Sequence, residues 1–275
     1  MGQEIIRLLE LREFPVAETR LLASSRSAGR EYEACGNLET VRETTPEAFK
    51  GLDFAIFSAG GNISKQFTED ARKHGCVVID NQHSRTLHDP FRMEPTVPLV
   101  IPEINPSSVE KHKGVISNPN CSTIVALMAL YPLHKRFGLK HFFASTYQAV
   151  SGAGATGVTE LESQARSVLG GGEQVPPEVF PHPIAFNLIP HIDEFREDGY
   201  TKEELKMRNE SRKIMDHSGL KVSCTCVRVP VMRAHAMSLN AEFKHPVNVP
   251  DAQTAIEAFE GTELWDLPNA LRYPM

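Results

Sequence analysis

Short apolar runs alternate with polar, helix-like segments through the first half of the chain. The runs predict buried strands over Thr19–Ala23, Phe54–Phe57, Cys76–Asp80, Val97–Ile101 and Gly114–Ser117. Apolar residues at helical spacing predict helices over Gln3–Arg12 and Lys65–His74, and Gly75 ends the second helix. Because strands that are joined by helices form parallel βαβ units, we expect an open, doubly wound sheet in this half.

The pattern changes after Pro119, where we expect a second domain to begin. Its elements are predicted in this order: a helix from about Ser122, a strand over Phe142–Val150, a helix from Thr201 to about His217, strands over Val222–Val231 and Met237–Phe243, and a helix over about Ala252–Phe259. Thr201-Lys-Glu-Glu204 matches a capping box at the start of the second helix. The last two strands are expected to pair as antiparallel neighbours. The predicted domains are therefore 1–118 and 119–275.

Composition narrows the class of protein. The 275 residues, 41% of them hydrophobic and 23% charged, suit an ordinary two-domain globular chain. A formal net charge of −6 has the wrong sign for a nucleic-acid partner. The longest apolar stretch, Thr123–Leu130, is far shorter than the ~18 residues that cross a bilayer, so no membrane association is expected.

Five cysteines form an odd set, and only Cys224 and Cys226 are close in sequence. Their Cys-x-Cys spacing is neither a metal-binding nor a redox pair, so no metal site is predicted. The set indicates a reducing cytoplasm.

Cys121 stands where a strand and a proline turn give way to a helix, in the segment Ser117-Asn-Pro-Asn-Cys-Ser-Thr123. Unpaired backbone N–H groups and the positive end of the helix lower the pKa of a thiol in such a position. The same N–H groups stabilise an oxyanion that forms when the thiolate attacks a carbonyl. Cys121 is thus a candidate nucleophile, and the alternative is an inert buried cysteine.

A nucleophilic cysteine needs a base, and among eleven histidines His235 follows the apolar segment that ends at Val231. Arg228 lies inside that apolar run, where a guanidinium needs an anion, either a protein carboxylate or a substrate carboxylate. Glu203 and Lys206 are three residues apart on the capped helix. They form either a solvated ion pair or part of a site for a zwitterionic substrate.

Two short turns are candidates for cofactor binding. Ser58-Ala59-Gly60-Gly61 after a buried strand is typical of a glycine turn that lets a cofactor approach the backbone. Ser24-Ser25-Arg26-Ser27 after an earlier strand offers hydroxyl groups and a cation to a 2′-phosphate.

Taken together, these segments resemble the aspartate-semialdehyde dehydrogenase family along nearly the whole chain. The resemblance is carried by Phe14-Pro-Val16, Leu21 to Gly29, Ser117 to Thr123, Gln148-Ala-Val-Ser-Gly-Ala-Gly154 and Asn187-Leu-Ile-Pro-His-Ile-Asp193. It implies a partial doubly wound, Rossmann-like sheet domain followed by an α+β catalytic and dimerisation domain. It also implies a cytoplasmic homodimer or homotetramer that interconverts aspartate semialdehyde plus phosphate and 4-phospho-aspartate with NADP, in lysine, threonine and methionine synthesis.

By matching position, the resemblance assigns Cys121 as the nucleophile and His235 as the acid/base. It assigns Gln148 to orienting the region around the nucleophile, Arg228 to the substrate α-carboxylate and Glu203 to the α-amino group. The expected phosphate-binding residues are Arg92, Asn120 and Lys206. The expected cofactor-binding residues are Ser24, Arg26, Ser27, Ser58, Ala59, Gly60, Ser151 and Gly152.

The chain also departs from the family pattern. The family begins with a strand and a Gly-Ala-Thr-Gly-x-x-Gly turn, of which only Gly2 matches here, and it continues past Pro274. The family's Gly-His-Ser-Glu is Ala234-His-Ala-Met237 in this chain. From these departures we expect weak NADP binding by the chain as written. These departures leave open a non-catalytic dimerising subunit. A different enzyme, N-acetyl-glutamyl-phosphate reductase, is the other alternative, but it has Gly before and Tyr-Pro after its cysteine, where this chain has Asn120 and Ser122.

Overall fold

A computed structural model describes residues 2–58, 61–81, 91–173 and 175–275. Contacts divide the chain into two compact units, the first made of residues 1–99 and 107–118 and the second of residues 100–106 and 119–275. Across the described ranges, no helix combines the length and the apolar character that a bilayer crossing requires.

The first unit is an α/β unit built around a parallel sheet. In chain order it contains α1 (Gly2–Leu11), β1 (Leu22–Ala23), β2 (Glu31–Ala34), β3 (Asn37–Thr40), β4 (Arg42–Glu43), β5 (Phe54–Phe57), α2 (Gly61–Lys73), β6 (Val77–Asp80) and β7 (Val115–Ser117). Strands β5, β6 and β7 form one parallel sheet in that order, and β1 pairs in parallel with β4. Gly75, just after α2, has a φ of +90°, which fits its predicted role at the end of the helix.

Three features of this unit differ from the sequence prediction. Only the last two residues of the segment Thr19–Ala23 form a strand. Residues 97–101 form no strand and make a single bridge, from Leu99 to Ser117, because proline at position 98 offers no N–H to a ladder. The β2–β3 hairpin was not predicted; its two turn residues, Cys35 and Gly36, have φ values of 51° and 81°. A two-residue hairpin turn requires such positive φ values, and cysteine is not a usual signal for one.

The second unit packs helices on one face of a three-stranded sheet. Its elements are α3 (Cys121–Phe137), β8 (Leu139–Gln148), α4 (Ala155–Leu169), α5 (Lys202–Ile214), β9 (Lys221–Arg228), β10 (His235–Phe243) and α6 (Val249–Glu257). The capping box at Thr201 is present, with both of its hydrogen bonds. Helix α4 was not predicted, because the glycines and prolines that follow it dominate the local pattern.

The strand order of this sheet corrects the predicted pairing of the last two strands. The order is β10-β8-β9, so β8 lies between them, antiparallel to β10 and parallel to β9. The link from β9 to β10 passes around the end of β8, where Val229 N–H donates to the Gln148 carbonyl at 3.0 Å and Val150 N–H donates to the Val231 carbonyl at 2.9 Å. These bonds hold the link across the end of β8, so β9 and β10 do not pair with each other as a hairpin.

Burial alternates along β8, as expected for a sheet with one covered face. The covered face forms a core with α3 and α5 that includes Leu130, Leu139, Phe142 and Met207. The other face exposes Phe143 and Tyr147. The functional side chains described below extend the covered face to the end of the sheet.

Candidate active site

Three strand ends place three of the predicted site residues side by side. Gln148 ends β8, where it is in register with Arg228 at the end of β9 and with His235 at the start of β10. Gln148 and Arg228 are both buried. Because side chains alternate along a strand, the two continue the rows of buried side chains that form the core.

Cys121 is the first residue of helix α3 and is exposed. The preceding residue, Asn120, is the N-cap: its Oδ1 accepts hydrogen bonds from the N–H groups of Ser122 at 2.9 Å and Thr123 at 3.3 Å. The backbone N–H of Asn120 donates to Glu210 Oε2 at 2.7 Å. The cap therefore fixes the backbone around Cys121 at the positive end of the helix.

Glu203 joins the start of α3 to the end of β8. Its Oε1 accepts from Asn120 Nδ2 at 2.9 Å and from Gln148 Nε2 at 3.1 Å, and the residue is only 1% exposed. Thr146 Oγ1 donates to Gln148 Oε1 at 2.9 Å, so the amide of Gln148 is held in one orientation. A buried carboxylate needs such donors, and here they come from the two amides that flank the nucleophile region.

Lys206 has a closer partner than the one that its spacing suggested. Its Nζ donates to Asp193 Oδ2 at 2.8 Å and lies 3.5 Å from Glu203 Oε2. The side chains of both acidic residues are buried, so they hold the ammonium group within the polar cluster. Of the two alternatives for Glu203 and Lys206, the solvated ion pair is therefore wrong, because the two side chains lie in a largely buried polar cluster that includes Asp193.

Arg228 is 7% exposed and its Nη1 donates to the Ala149 carbonyl at 2.6 Å. Burial lowers the pKa of its guanidinium, and the Glu203 carboxylate and Cys121 thiol oppose that shift. Gly152, a predicted cofactor residue, lies against this side chain: a Cβ atom at Gly152 would stand 2.8 Å from Arg228 Nη1. A side chain at position 152 would therefore displace this end of the guanidinium.

The His235 ring sits between one donor and one acceptor. Ala149 N–H donates to its Nδ1 at 3.1 Å, and the Ala234 carbonyl lies 2.9 Å from the same nitrogen. The ring can therefore hold either neutral tautomer, with Nδ1 accepting in one and donating in the other. Burial lowers the pKa of His235, which favours the neutral ring. Ala234 has a φ of +70°, a conformation that favours glycine, the family residue at this position.

The remaining predicted site residues divide between the units. Ser151 lies in the second unit, in a 3₁₀ turn at 150–153, and its N–H donates to the Met232 carbonyl at 3.3 Å. In the first unit, Ser24, Arg26 and Ser27 follow β1, Ser58 follows β5, and Arg92 is 3% exposed. Ala59 and Gly60 lie outside the described residues.

Three residues with a part in this cluster were not singled out from the sequence: Thr146, Asp193 and Glu210. Asp193 is the last residue of the family motif Asn187–Asp193, and membership of that motif is the one sequence feature that could have identified it. Glu210 looks like an ordinary helix residue in the sequence, because its partner Asn120 is 90 residues away. Thr146 looks like an ordinary strand residue, although its partner Gln148 is only two residues away.

Two family models of semialdehyde dehydrogenase domains match the two parts of this chain. The family model described as "Semialdehyde dehydrogenase, NAD binding domain" matches residues 1–112. The family model described as "Semialdehyde dehydrogenase, dimerisation domain" matches residues 130–275.

Relatives define the family more narrowly. The chain is 45% identical to the aspartate-semialdehyde dehydrogenase of Aquifex aeolicus over 278 residues, covering 100% of this chain and 80% of that protein. It is 42% identical to the Bacillus subtilis enzyme of the same name over 283 residues, with 100% and 80% covered. The crystal structure of aspartate semialdehyde dehydrogenase II from Vibrio cholerae matches with a TM-score of 0.90 and 39% identity, covering 94% of this chain and 76% of that one. The chain belongs to the aspartate-semialdehyde dehydrogenase family.

This membership confirms the resemblance, the fold class and the enzyme class that were predicted from the sequence. The comparisons do not favour either the non-catalytic subunit or N-acetyl-glutamyl-phosphate reductase.

Proposed function

We propose that this chain interconverts L-aspartate 4-semialdehyde plus phosphate and 4-phospho-L-aspartate, with NADP as the redox partner, through a thioester on Cys121. The observation that carries this proposal is the position of an exposed cysteine at a capped helix start, beside a cluster that holds an arginine, a carboxylate and a histidine. We assign residues 1–118 to the nucleotide domain and 119–275 to the catalytic and dimerising domain.

The substrate is an amino acid, and the cluster offers complementary charges to it. Arg228 keeps part of its donor fork beyond the single Nη1 bond to Ala149, and we assign those donors to the α-carboxylate. Glu203 is the carboxylate that acts on the pKa of Arg228, and we assign it to the α-amino group. One crystal structure of the Vibrio cholerae enzyme is described as complexed with ASA, and the charge pattern here suits such a ligand.

In the oxidative direction, His235 takes the proton of the Cys121 thiol, and the sulfur attacks the aldehyde carbon. As the S–C bond forms and the C=O π bond opens, His235 gives that proton to the carbonyl oxygen. NADP, when bound, supplies the acceptor for the hydrogen and electron pair that leave this carbon. His235 takes the hydroxyl proton back as the thioester forms. A phosphate oxygen then attacks the thioester carbon, the C–S bond breaks, and Cys121 leaves as a thiolate. Gln148, fixed by Thr146 and Glu203, orients the groups around the sulfur.

We assign the phosphate to Arg92, Asn120 and Lys206. Lys206 supports this assignment because it is a largely buried cation in the N-terminal half of α5, the helix that also carries Glu203, which we assign to the α-amino group of the substrate. Asn120 supports it because its position next to Cys121 puts it beside the carbon that phosphate attacks.

For the cofactor, the residues of the first unit fit a nucleotide. Ser24, Arg26 and Ser27 follow the carboxyl end of β1, which pairs with β4, and Ser58 follows the carboxyl end of β5 in the separate β5-β6-β7 sheet. Doubly wound folds bind nucleotides beyond the carboxyl ends of their parallel strands. Arg26 is exposed and can meet a 2′-phosphate, which favours NADP over NAD. We keep Ala59, Gly60, Ser151 and Gly152 in the cofactor site as expectations from the family motif.

The exposed face of the second unit's sheet favours assembly. Phe143 and Tyr147 lie on it with Ser145 between them in the alternation of β8, and this segment falls within the match to the dimerisation domain. We infer a homodimer, or a homotetramer built from it. None of the five cysteines, all of which lie in the described ranges, forms a disulfide, in keeping with a cytoplasmic location.

Replacement of the nucleophile tests the proposal. Cys121→Ala should abolish phosphate-dependent reduction of NADP by aspartate semialdehyde, and the matched control Cys35→Ala should retain it. The far-UV circular dichroism of both variants should match that of the parent chain. If Cys121→Ala keeps more than a few per cent of the parent's rate while Cys35→Ala is normal, the thioester mechanism is wrong.

A further inference from the structure

A proline-rich strap, residues 175–189, crosses the second unit between α4 and α5 without forming a helix or a ladder of strands. Four of its backbone N–H groups donate to two side chains of α4 instead. Glu160 Oε2 accepts from the N–H groups of Glu178 at 2.9 Å and Val179 at 2.5 Å. Gln164 Oε1 accepts from the N–H groups of residue 184 at 2.9 Å and residue 185 at 3.2 Å.

These two side chains form a rigid support. Both residues are buried, they lie one helical turn apart, and Gln164 Nε2 donates to Glu160 Oε1 at 3.3 Å. A carboxylate in such a place is costly unless it is hydrogen-bonded, and here three donors meet it. The proposed reaction uses neither residue, so a different reason is needed for burying them.

The strap carries Phe180 to the guanidinium of Arg228. The Cζ atom of Arg228 lies 5.7 Å from the centre of the Phe180 ring, within the range of a cation–π contact. The tip of the ring lies against α4, where a Cβ atom at Gly157 would stand 3.1 Å from Phe180 Cζ. The ring therefore contacts both the helix and the arginine.

We propose that Phe180, held by the strap on Glu160 and Gln164, is a positioning residue that sets the orientation of the Arg228 guanidinium for the substrate carboxylate. The Ala149 carbonyl fixes one nitrogen of the guanidinium, and Gly152 leaves room beside the same nitrogen. The ring restricts rotation out of that position and leaves the rest of the donor fork available. This inference deepens the proposed function and rests on its assignment of Arg228.

The test compares two phenylalanines of the same strap. Phe180→Leu keeps an apolar side chain but removes the π face, and we expect the KM for aspartate semialdehyde to rise about five- to tenfold, with kcat changed by less than about twofold. Phe180→Tyr retains the face and should restore the parent's KM. Phe186→Leu changes a residue that is 64% exposed, and its KM should equal the parent's.

A second variant acts from a distance. Glu160→Gln removes the charge that holds the strap and places an amide donor against other donors, so we expect the same rise in the KM for the semialdehyde, with the KM for phosphate unchanged. This variant does not touch the guanidinium, and it keeps the proposal testable if Phe180→Leu folds poorly.

The outcomes separate the two levels of inference. If Phe180→Leu and Glu160→Gln both keep the parent's KM while Arg228→Lys loses activity, the role of Phe180 is wrong and the proposed function stands. A fall in kcat and melting temperature that Phe180→Tyr does not reverse would mean a purely structural role and would also overturn the inference. If Cys121→Ala and Arg228→Lys are both fully active, the proposed function itself fails.

Discussion

Of the three arginines that we assign to anions, Arg228 and Arg26 lie in opposite surroundings. Arg228 is buried at a strand end, where a carbonyl oxygen, an aromatic ring and the Glu203 carboxylate determine its position. Arg26 is exposed in a turn of the first unit. The protein has therefore arranged the first guanidinium before any substrate arrives, whereas the second must be ordered by its ligand. A guanidinium that is held in place before its ligand binds contributes to affinity through its shape, so lysine cannot replace it. A mobile guanidinium contributes mainly through its charge.

The buried surroundings of Arg228 also contain the thiols of Cys224 and Cys226, which should react slowly with alkylating reagents. The difference in labelling rate between these thiols and Cys121 is the largest effect that we expect. Burial raises the pKa of Cys224 from 9.0 to about 12 and raises that of Cys226 still further. A three-unit rise lowers the thiolate fraction about a thousandfold. Iodoacetamide at pH 7.5 should therefore label the exposed Cys121 far ahead of these two, as measured by mass spectrometry of the peptides.

Urea provides the control for that experiment, because all five cysteines should react at similar rates in the unfolded chain. Equal labelling of Cys121 and Cys224 in the folded protein would contradict the burial that the comparison assumes.

Arg228→Lys keeps the charge but loses the planar fork, so it tests shape in the buried region. We expect kcat/KM for the semialdehyde to fall by about 10²-fold, equivalent to about 2.7 kcal/mol of transition-state stabilisation. Arg136→Lys, at an exposed surface ion pair, is the matched control and should be silent. Parent values of KM and kcat in Arg228→Lys would rule out a carboxylate clamp.

Arg26 should respond to loss of charge and tolerate a change of shape. Arg26→Ala should raise the KM for NADP about tenfold, and Arg26→Lys by less than about threefold. The KM for NAD, which has no 2′-phosphate, should not change in either variant. An Arg26→Lys variant as impaired as Arg26→Ala would show that the exposed turn is prearranged after all.

The smallest effect that we expect is the dependence of the free energy of unfolding on acidic pH through His235. The folded-state pKa of His235 lies below its unfolded value of about 6.5 because of burial. As pH falls through 6.5, the unfolded chain binds the proton first, so the free energy of unfolding decreases until the folded-state pKa is passed. Urea unfolding between pH 7.5 and 5.5 should show a shallower loss in His235→Gln than in the parent. A steeper loss in the variant would reverse the sign of the assigned shift.

Local signals along the chain predicted much of this protein. The strand Phe54–Phe57, the stop at Gly75 and the capping box at Thr201 all depend on residues within a few positions of one another, and all three are present. The family motifs identified the class of enzyme, because a motif is itself a local pattern. The wrong prediction at Val97–Ile101 has a local cause as well, since apolar character alone does not supply the missing N–H of a proline.

Only the tertiary structure decided which strands are neighbours. The sequence favoured pairing the last two strands, yet β8 lies between them and brings Gln148 into register with both Arg228 and His235. The two amide groups that donate to Glu203, those of Gln148 and Asn120, lie 55 and 83 residues away along the chain. Periodicity reports which face of an element is buried but not which element covers it, because that choice depends on packing between distant segments. The candidate residues could thus be named from the sequence, and their arrangement into one site required the fold.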